Sequence, residues 1–173
     1  MSDAVATDGP PPPDSTGARV SDRFQRTRIP VLPTVLFADS SEDYRGMARD
    51  ALLEARNATD MRTVADGPEL RAYLERAGAT KGAVTPVPSL IVLDAALGLD
   101  AVRQLKSDVR TRRIPLVVLG ADDDPATVTA AYDAGANTYI VKPVTFLALV
   151  RLMKVFTAYW LETAELPNDQ EAA

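Results

Sequence analysis

Three ionisable residues, Asp39, Asp94 and Lys142, each follow directly on a short run of mostly apolar residues. Such runs are typical of strands buried in a parallel sheet, and the carboxyl ends of these strands form the rim where open α/β sheets build their sites. Two carboxylates and one amine suit a hard cation such as Mg²⁺ together with phosphate oxygens. Asp94 could also accept a phosphoryl group, and Lys142 could pair with it. The three residues therefore predict a site for phosphoryl chemistry. The simpler alternative is that Asp94 only caps the turn that follows its strand.

The composition narrows the chemistry that this chain can perform. Its 173 residues include no cysteine and no histidine, which excludes disulfides, thiolate nucleophiles, histidine bases and the usual zinc ligands. A net charge of −5 argues against a broad nucleic-acid-binding surface. The amino terminus does not resemble a signal peptide, and no apolar run approaches membrane-spanning length. We therefore expect a cytoplasmic protein that binds neither nucleic acid nor the membrane.

Apolar runs alternate with segments of helical periodicity through most of the chain. The predicted strands are residues 34–38, 61–65, 90–93, 114–119 and 137–141. This alternation predicts an α/β fold, a flavodoxin-like, doubly wound (βα)5 sandwich whose parallel strands take the order 2-1-3-4-5. In that order the carboxyl ends of the first, third and fifth strands converge, which would bring Asp39, Asp94 and Lys142 together.

Composition also divides the chain into a folded domain and two tails. Residues 1–31 carry a run of four prolines and few large apolar residues, so we expect a disordered tail. Residues 32–162 form the predicted domain, and residues 163–173 a short acidic tail. Because that tail is too short for an effector domain, we expect output through protein contacts.

The last predicted helix, residues 145–162, is apolar on two faces. Its first stripe comprises Phe146, Leu149, Val150, Met153, Phe156 and Trp160. Its second stripe comprises Ala148, Leu152, Val155 and Tyr159. A helix with two apolar faces usually packs on two sides, so the second stripe predicts a homodimer contact or a downstream partner. The alternative is that another part of the same chain covers it.

Three segments of this chain resemble the receiver domain of CheY-like response regulators in two-component phosphorelays. They are Leu36-Phe37-Ala38-Asp39, Leu90-Ile91-Val92-Leu93-Asp94 and Gly135-Ala136-Asn137-Thr138-Tyr139-Ile140-Val141-Lys142-Pro143. The resemblance covers about residues 33–162, and Ile114-Pro115 and the segment 158–161 are similar to single-domain receivers that work with phytochrome-type kinases. It implies a phosphoacceptor domain rather than an enzyme, with at most autodephosphorylation, and a sensor histidine kinase as partner.

The resemblance also assigns roles to individual residues. Asp94 would be the phosphoacceptor, Lys142 the phosphate-sensing lysine and Tyr139 the aromatic switch. Asp39, Asp94 and the backbone carbonyl of Ala96 would hold Mg²⁺. The same Ala96 stands where a dehalogenase-type phosphatase would need its second aspartate, which argues against that enzyme class.

Three features depart from the family pattern. Ala38 stands where receivers usually carry an acidic neighbour of Asp39, which predicts weak Mg²⁺ binding. Gly120 stands where strand 4 usually ends in a threonine or serine, which predicts weakened coupling between phosphorylation and Tyr139. The loop after Asp94 is also shorter than in relatives. The sequence thus leaves two hypotheses: a phosphorylatable stand-alone receiver, or a pseudo-receiver that binds proteins without a phosphorylation cycle.

Overall fold

A computed structural model describes residues 32–56, 58–78 and 85–166 of the chain. The predicted tail of residues 1–31, and residues 167–173 of the predicted acidic tail, lie outside the described residues. Within the described ranges, no helix combines the length and the apolar character needed to cross a membrane.

The described residues form one parallel sheet of five strands in the order β2-β1-β3-β4-β5. The strands are β1 (Thr34–Ala38), β2 (Asp60–Val64), β3 (Leu90–Asp94), β4 (Leu116–Gly120) and β5 (Thr138–Val141). All residues of β1, β3 and β4 are buried, because these central strands are covered on both faces, whereas the edge strands β2 and β5 are partly accessible. The predicted flavodoxin-like α/β fold and its strand order are confirmed.

Five α-helices cover the two faces of the sheet. They are α1 (Glu42–Glu54), α2 (Gly67–Arg76), α3 (Leu99–Ser107), α4 (Pro125–Asp133) and α5 (Phe146–Phe156). Helices α1 and α5 contribute to the apolar core on one face, and α2, α3 and α4 contribute to the core on the other. Side chains cap four of the five helices at their amino ends, as short polar residues at this position commonly do: Ser41, Asp66, Asp124 and Thr145.

The carboxyl end of the last helix differs from the prediction of one regular helix over residues 145–162. Helix α5 ends earlier, and the chain continues as a π-helical segment over Thr157–Thr163. The hydroxyl of Thr157 donates to the carbonyl oxygens of Met153 and Lys154, at 2.8 and 3.2 Å. Hydrogen bonds of this kind compete with the regular helical ladder.

The two apolar stripes of this last helix are buried to different extents. In the first stripe, Leu149, Val150, Met153 and Phe156 are buried, but Phe146 is 43% exposed because it lies in the opening turn. Phe146 therefore lies largely outside the core that the other four residues enter. In the second stripe, Val155 and Tyr159 are 64% and 55% exposed, whereas Ala148 and Leu152 are half-buried. The described part of the chain therefore leaves Val155 and Tyr159 accessible to a partner.

Candidate functional site

The structure brings together the three residues predicted to converge. Asp39 follows β1, Asp94 ends β3 and Lys142 follows β5, so all three lie at the carboxyl edge of the sheet. The Nζ atom of Lys142 lies 2.7 Å from Oδ2 of Asp39 and 2.9 Å from Oδ2 of Asp94. One ammonium group therefore bridges two carboxylates that belong to adjacent strands.

The second oxygen of each carboxylate is held by the backbone that follows it. Oδ1 of Asp39 accepts a hydrogen bond from the amide of Ser41 at 2.9 Å, and Oδ1 of Asp94 accepts one from the amide of Ala96 at 3.1 Å. The simpler role considered for Asp94, capping the next turn, is thus present. It uses one oxygen and leaves the other facing Lys142.

The two carboxylates differ in their access to solvent. The side chain of Asp39 is fully buried, whereas that of Asp94 is 10% exposed and that of Lys142 is 21% exposed. Among the described residues, Oδ2 of Asp39 has the ionic contact with Lys142 but no hydrogen bond. A buried anionic oxygen without a hydrogen bond is costly, so this atom favours a cation beside it.

Lys142 is the cation that balances this pair in the described structure. Burial acts to lower the pKa of Lys142, but the contacts with Asp39 and Asp94 outweigh burial and raise the pKa above the ordinary value for lysine. The side chain is therefore charged at neutral pH. The ammonium and the two carboxyl groups together line the space that a phosphoryl group or a metal ion would enter.

The donor set fits a divalent cation with few protein ligands. Asp39 and Asp94 supply two carboxylates, and Oδ2 of Asp39 has spare capacity as a ligand. Ala38 is fully buried in the core, and no cluster of three or more acidic, histidine or cysteine residues suited to a metal occurs in the described ranges. Mg²⁺ is commonly held by one or two carboxylates plus waters and phosphate oxygens. The residues present therefore fit Mg²⁺ with fewer anchors than the family pattern provides.

The predicted switch residues Gly120 and Tyr139 lie against each other. A Cβ atom built on Gly120 would overlap the hydroxyl and ring atoms of Tyr139, so the ring fills the volume that a side chain at position 120 would need. The Tyr139 hydroxyl donates to the backbone carbonyl of Asp122 at 2.8 Å. Burial, followed by the charges of the neighbouring aspartates, raises the pKa of Tyr139 and keeps this hydroxyl a donor.

Two contacts of the site were not predicted from the sequence. The Nζ atom of Lys142 lies 4.1 Å from the ring centroid of Tyr44. The guanidinium of Arg45 donates to the backbone carbonyl of Asp39 at 2.6 Å. The available signal was position: both residues belong to the first turn of α1, which begins at the carboxyl edge of β1.

Comparisons with known proteins agree with this geometry. The family model of the response regulator receiver domain matches residues 35–154. The response regulator Rcp1 of Synechocystis sp. is 28% identical over 137 residues, which are 77% of this chain and 91% of that protein. The phosphorylated cyanobacterial phytochrome response regulator RcpA superposes with a TM-score of 0.70 at 30% identity, covering 80% of this chain and 100% of the other. The Mn²⁺-bound form of Rcp1 gives 0.67 at 26% identity, covering 79% and 99%.

The chain therefore belongs to the receiver domain family of response regulators and is a CheY-like receiver of two-component signalling. The resemblance predicted from the three strand-ending segments, including the likeness to phytochrome-associated receivers, is confirmed. Receiver domains are signalling domains, and they bind divalent metal ions. The roles of the individual site residues in this chain stay predictions.

The contact between Gly120 and Tyr139 can be tested by adding one methyl group. In Gly120→Ala the new methyl and the ring compete for one volume, so we expect the free energy of unfolding in urea to fall by roughly 1 to 3 kcal/mol. The matched background is Tyr139→Ala, where the ring is gone and the same methyl group should cost little. An equal loss of unfolding free energy in both backgrounds would show that overlap with the Tyr139 ring does not cause the loss.

Proposed function

We propose that this chain is a stand-alone, cytoplasmic phosphoacceptor that takes a phosphoryl group from a sensor histidine kinase on Asp94 and signals through protein contacts. The main support for the proposal is that the carboxylates of Asp39 and Asp94 differ in their exposure to solvent. Asp94 is partly accessible to solvent, whereas Asp39 is fully buried. A phosphodonor can approach only an accessible oxygen, and the accessible carboxylate is the one that receivers use.

The proposed reaction needs a nucleophilic carboxylate and a cation for the transferred group. An Asp94 oxygen attacks the phosphorus of a phosphohistidine, the P–N bond breaks with its electron pair left on the imidazole, and the imidazole takes up a proton. The product is an acyl-phosphate on Asp94. The ammonium of Lys142, 2.9 Å from Oδ2 of Asp94, is placed to form a charge-assisted hydrogen bond to a phosphoryl oxygen.

Mg²⁺ completes the proposed site. Asp39, Asp94 and the backbone carbonyl of Ala96 would hold it, and when bound it would neutralise charge on the phosphoryl oxygens. A solved relative, Rcp1, has been described with Mn²⁺ bound. Two hydrogen bonds hold Asp39 in place: the Ser41 amide donates to its Oδ1, and the Arg45 guanidinium donates to its backbone carbonyl.

A pseudo-receiver without a phosphorylation cycle is the second candidate. The observation that favours it is the Tyr139 ring, which already fills the space over Gly120. Phosphorylation can shift a conformational equilibrium only through contacts that differ between the two conformations. Because the Tyr139 ring is already inward in the unmodified protein, phosphorylation would change its position less. The two candidates are separated by whether Asp94 accepts a phosphoryl group.

The assignment of the phosphoacceptor predicts a single labelled residue. Incubation with acetyl phosphate and Mg²⁺ should add one phosphoryl group, detected by intact-protein mass spectrometry, and Asp94→Asn should abolish it. Asp123→Asn is the matched control, because Asp123 is an exposed carboxylate in the loop after β4 and its loss should leave the label unchanged. A label that persists in Asp94→Asn would overturn the assignment.

The alanine beside Asp39 predicts weak metal binding. Ala38→Asp restores the acidic pair and should strengthen Mg²⁺ binding by roughly 10- to 100-fold, the range typical of an outer carboxylate at a metal site. Isothermal titration calorimetry measures the change. Ala38→Asn controls for the shape of the new side chain at this buried position and should bind Mg²⁺ like the natural protein. Equal affinity in Ala38→Asp and the natural protein would contradict the argument.

We further propose that the exposed apolar residues of the last helix, Val155 and Tyr159, form a docking face. This face would bind a second copy of the chain or a downstream protein. If the face makes a homodimer, Val155→Glu should lower the sedimentation-derived mass from dimer to monomer. Lys154→Gln is the matched control, because it lowers the net charge by the same one unit at the neighbouring exposed position without removing apolar surface. A natural protein that is monomeric at high concentration, and whose kinase binding is unaffected by Val155→Glu, would refute this use of the face.

A further inference from the structure

The Tyr44 side chain contacts two successive residues at the end of β5. Its ring lies beneath the ammonium of Lys142, with 4.1 Å between Nζ and the ring centroid. Its hydroxyl donates to the backbone carbonyl of Pro143 at 3.0 Å. The tyrosine stands 98 residues before the lysine in the chain, so these contacts tie α1 to the segment that carries Lys142.

The ring itself is fixed by its surroundings. It stacks on Phe37 of β1 with 6.2 Å between centroids and 24° between planes, and Phe37 is 1% exposed. The amide of Tyr44 donates to the Ser41 side chain at 3.2 Å, and the amide of Ser41 donates to Asp39. The turn that orients Asp39 therefore also sets the position of the ring.

A lysine side chain needs such a support to occupy one position. It is a flexible four-carbon stem, and ordering it costs rotamer entropy. The face of an aromatic ring attracts a cation, and more strongly when water is excluded. Burial, followed by the charges of Asp39 and Asp94, raises the pKa of Tyr44, so its hydroxyl stays protonated and keeps donating to Pro143.

We propose that Tyr44 is a positioning residue for Lys142. Its ring face and hydroxyl hold the lysine so that the ammonium stands between Asp39 and Asp94, where it meets a phosphoryl group on Asp94. Only the contact between the ammonium and a phosphoryl group on Asp94 rests on the proposed function. The positioning of Lys142 is a property of the unmodified protein.

The chain contains a matched control for this role. Tyr73 is buried, and its hydroxyl, like that of Tyr44, donates to a proline carbonyl, that of Pro86, at 3.0 Å. It belongs to the core on the opposite face of the sheet from Phe37. Replacing Tyr73 therefore removes a comparable ring and hydrogen bond without touching Lys142.

The first measurement is the nuclear magnetic resonance of the Lys142 side chain, assigned with Lys142→Arg. The methylene protons next to Nζ lie close to the ring face, so ring currents should shift them upfield in the natural protein and in Tyr44→Phe. Tyr44→Leu should return them to the position of an exposed lysine, and Tyr73→Leu should leave the shift intact. The proposal is overturned if the natural protein shows no upfield shift, if Tyr44→Leu keeps it, or if Tyr73→Leu abolishes it equally.

The second measurement is the rate at which acetyl phosphate labels Asp94. Tyr44→Leu should slow labelling by roughly 3- to 10-fold, the range expected for loss of one cation–π contact, whereas Tyr44→Phe should retain most of the rate and Tyr73→Leu all of it. An unchanged rate in Tyr44→Leu, despite a lost ring-current shift, would overturn the link to phosphorylation. If the natural protein takes no label, the proposed function fails, and the resonance measurement still decides the role of Tyr44.

Discussion

The ammonium of Lys142 between the carboxylates of Asp39 and Asp94 is the interaction on which this site depends. Parallel strands in the order β2-β1-β3-β4-β5 place β1 beside β3, and this forces the acidic groups at their ends into proximity. Asp39 has no exposure to solvent, so its charge cannot be balanced by water. The ammonium of Lys142, at 2.7 Å from Asp39 and 2.9 Å from Asp94, offsets that penalty.

The surrounding residues make that interaction specific in geometry. The amides of Ser41 and Ala96 each hold one carboxylate oxygen, which directs the other oxygen toward the lysine. At the end of β4, the Tyr139 ring lies against Gly120, and its hydroxyl donates to the backbone carbonyl of Asp122. In this chain the Tyr139 ring already occupies the space that a side chain at position 120 would need. If Asp94 accepts a phosphoryl group, as proposed, the response should depend on Lys142 more than on this ring.

Much of the fold could be predicted because the central strands are unambiguous. Short runs of aliphatic residues bounded by polar ones are typical of strands buried on both faces of a parallel sheet, and their alternation with helical segments indicated five βα units. The convergence of Asp39, Asp94 and Lys142 followed from topology, since it needs only the strand ends and not the side-chain conformations.

The contacts that sequence patterns missed are of a different physical kind. Tyr44 has the helical spacing of a core residue, and nothing in that spacing shows that its ring faces a cation contributed by another element. The bond from Arg45 to the carbonyl of Asp39 depends on the direction of a long side chain. The exposure of Phe146 depends on where α5 begins relative to the sheet. The π-helical segment depends on the hydrogen bonds that the Thr157 hydroxyl makes to the preceding turn.

A double-mutant cycle between Lys142 and Asp39 tests the central interaction most directly. The free energy of unfolding would be measured in urea, with a metal chelator present, for the natural protein, Lys142→Met, Asp39→Asn and the double variant. Lys142→Met alone leaves the buried carboxylate unbalanced, so its cost should be smaller by about 1 to 3 kcal/mol when Asp39 is already neutral. If Lys142→Met costs the same in both backgrounds, to within about 0.5 kcal/mol, the ammonium does not stabilise the buried pair and the account is wrong.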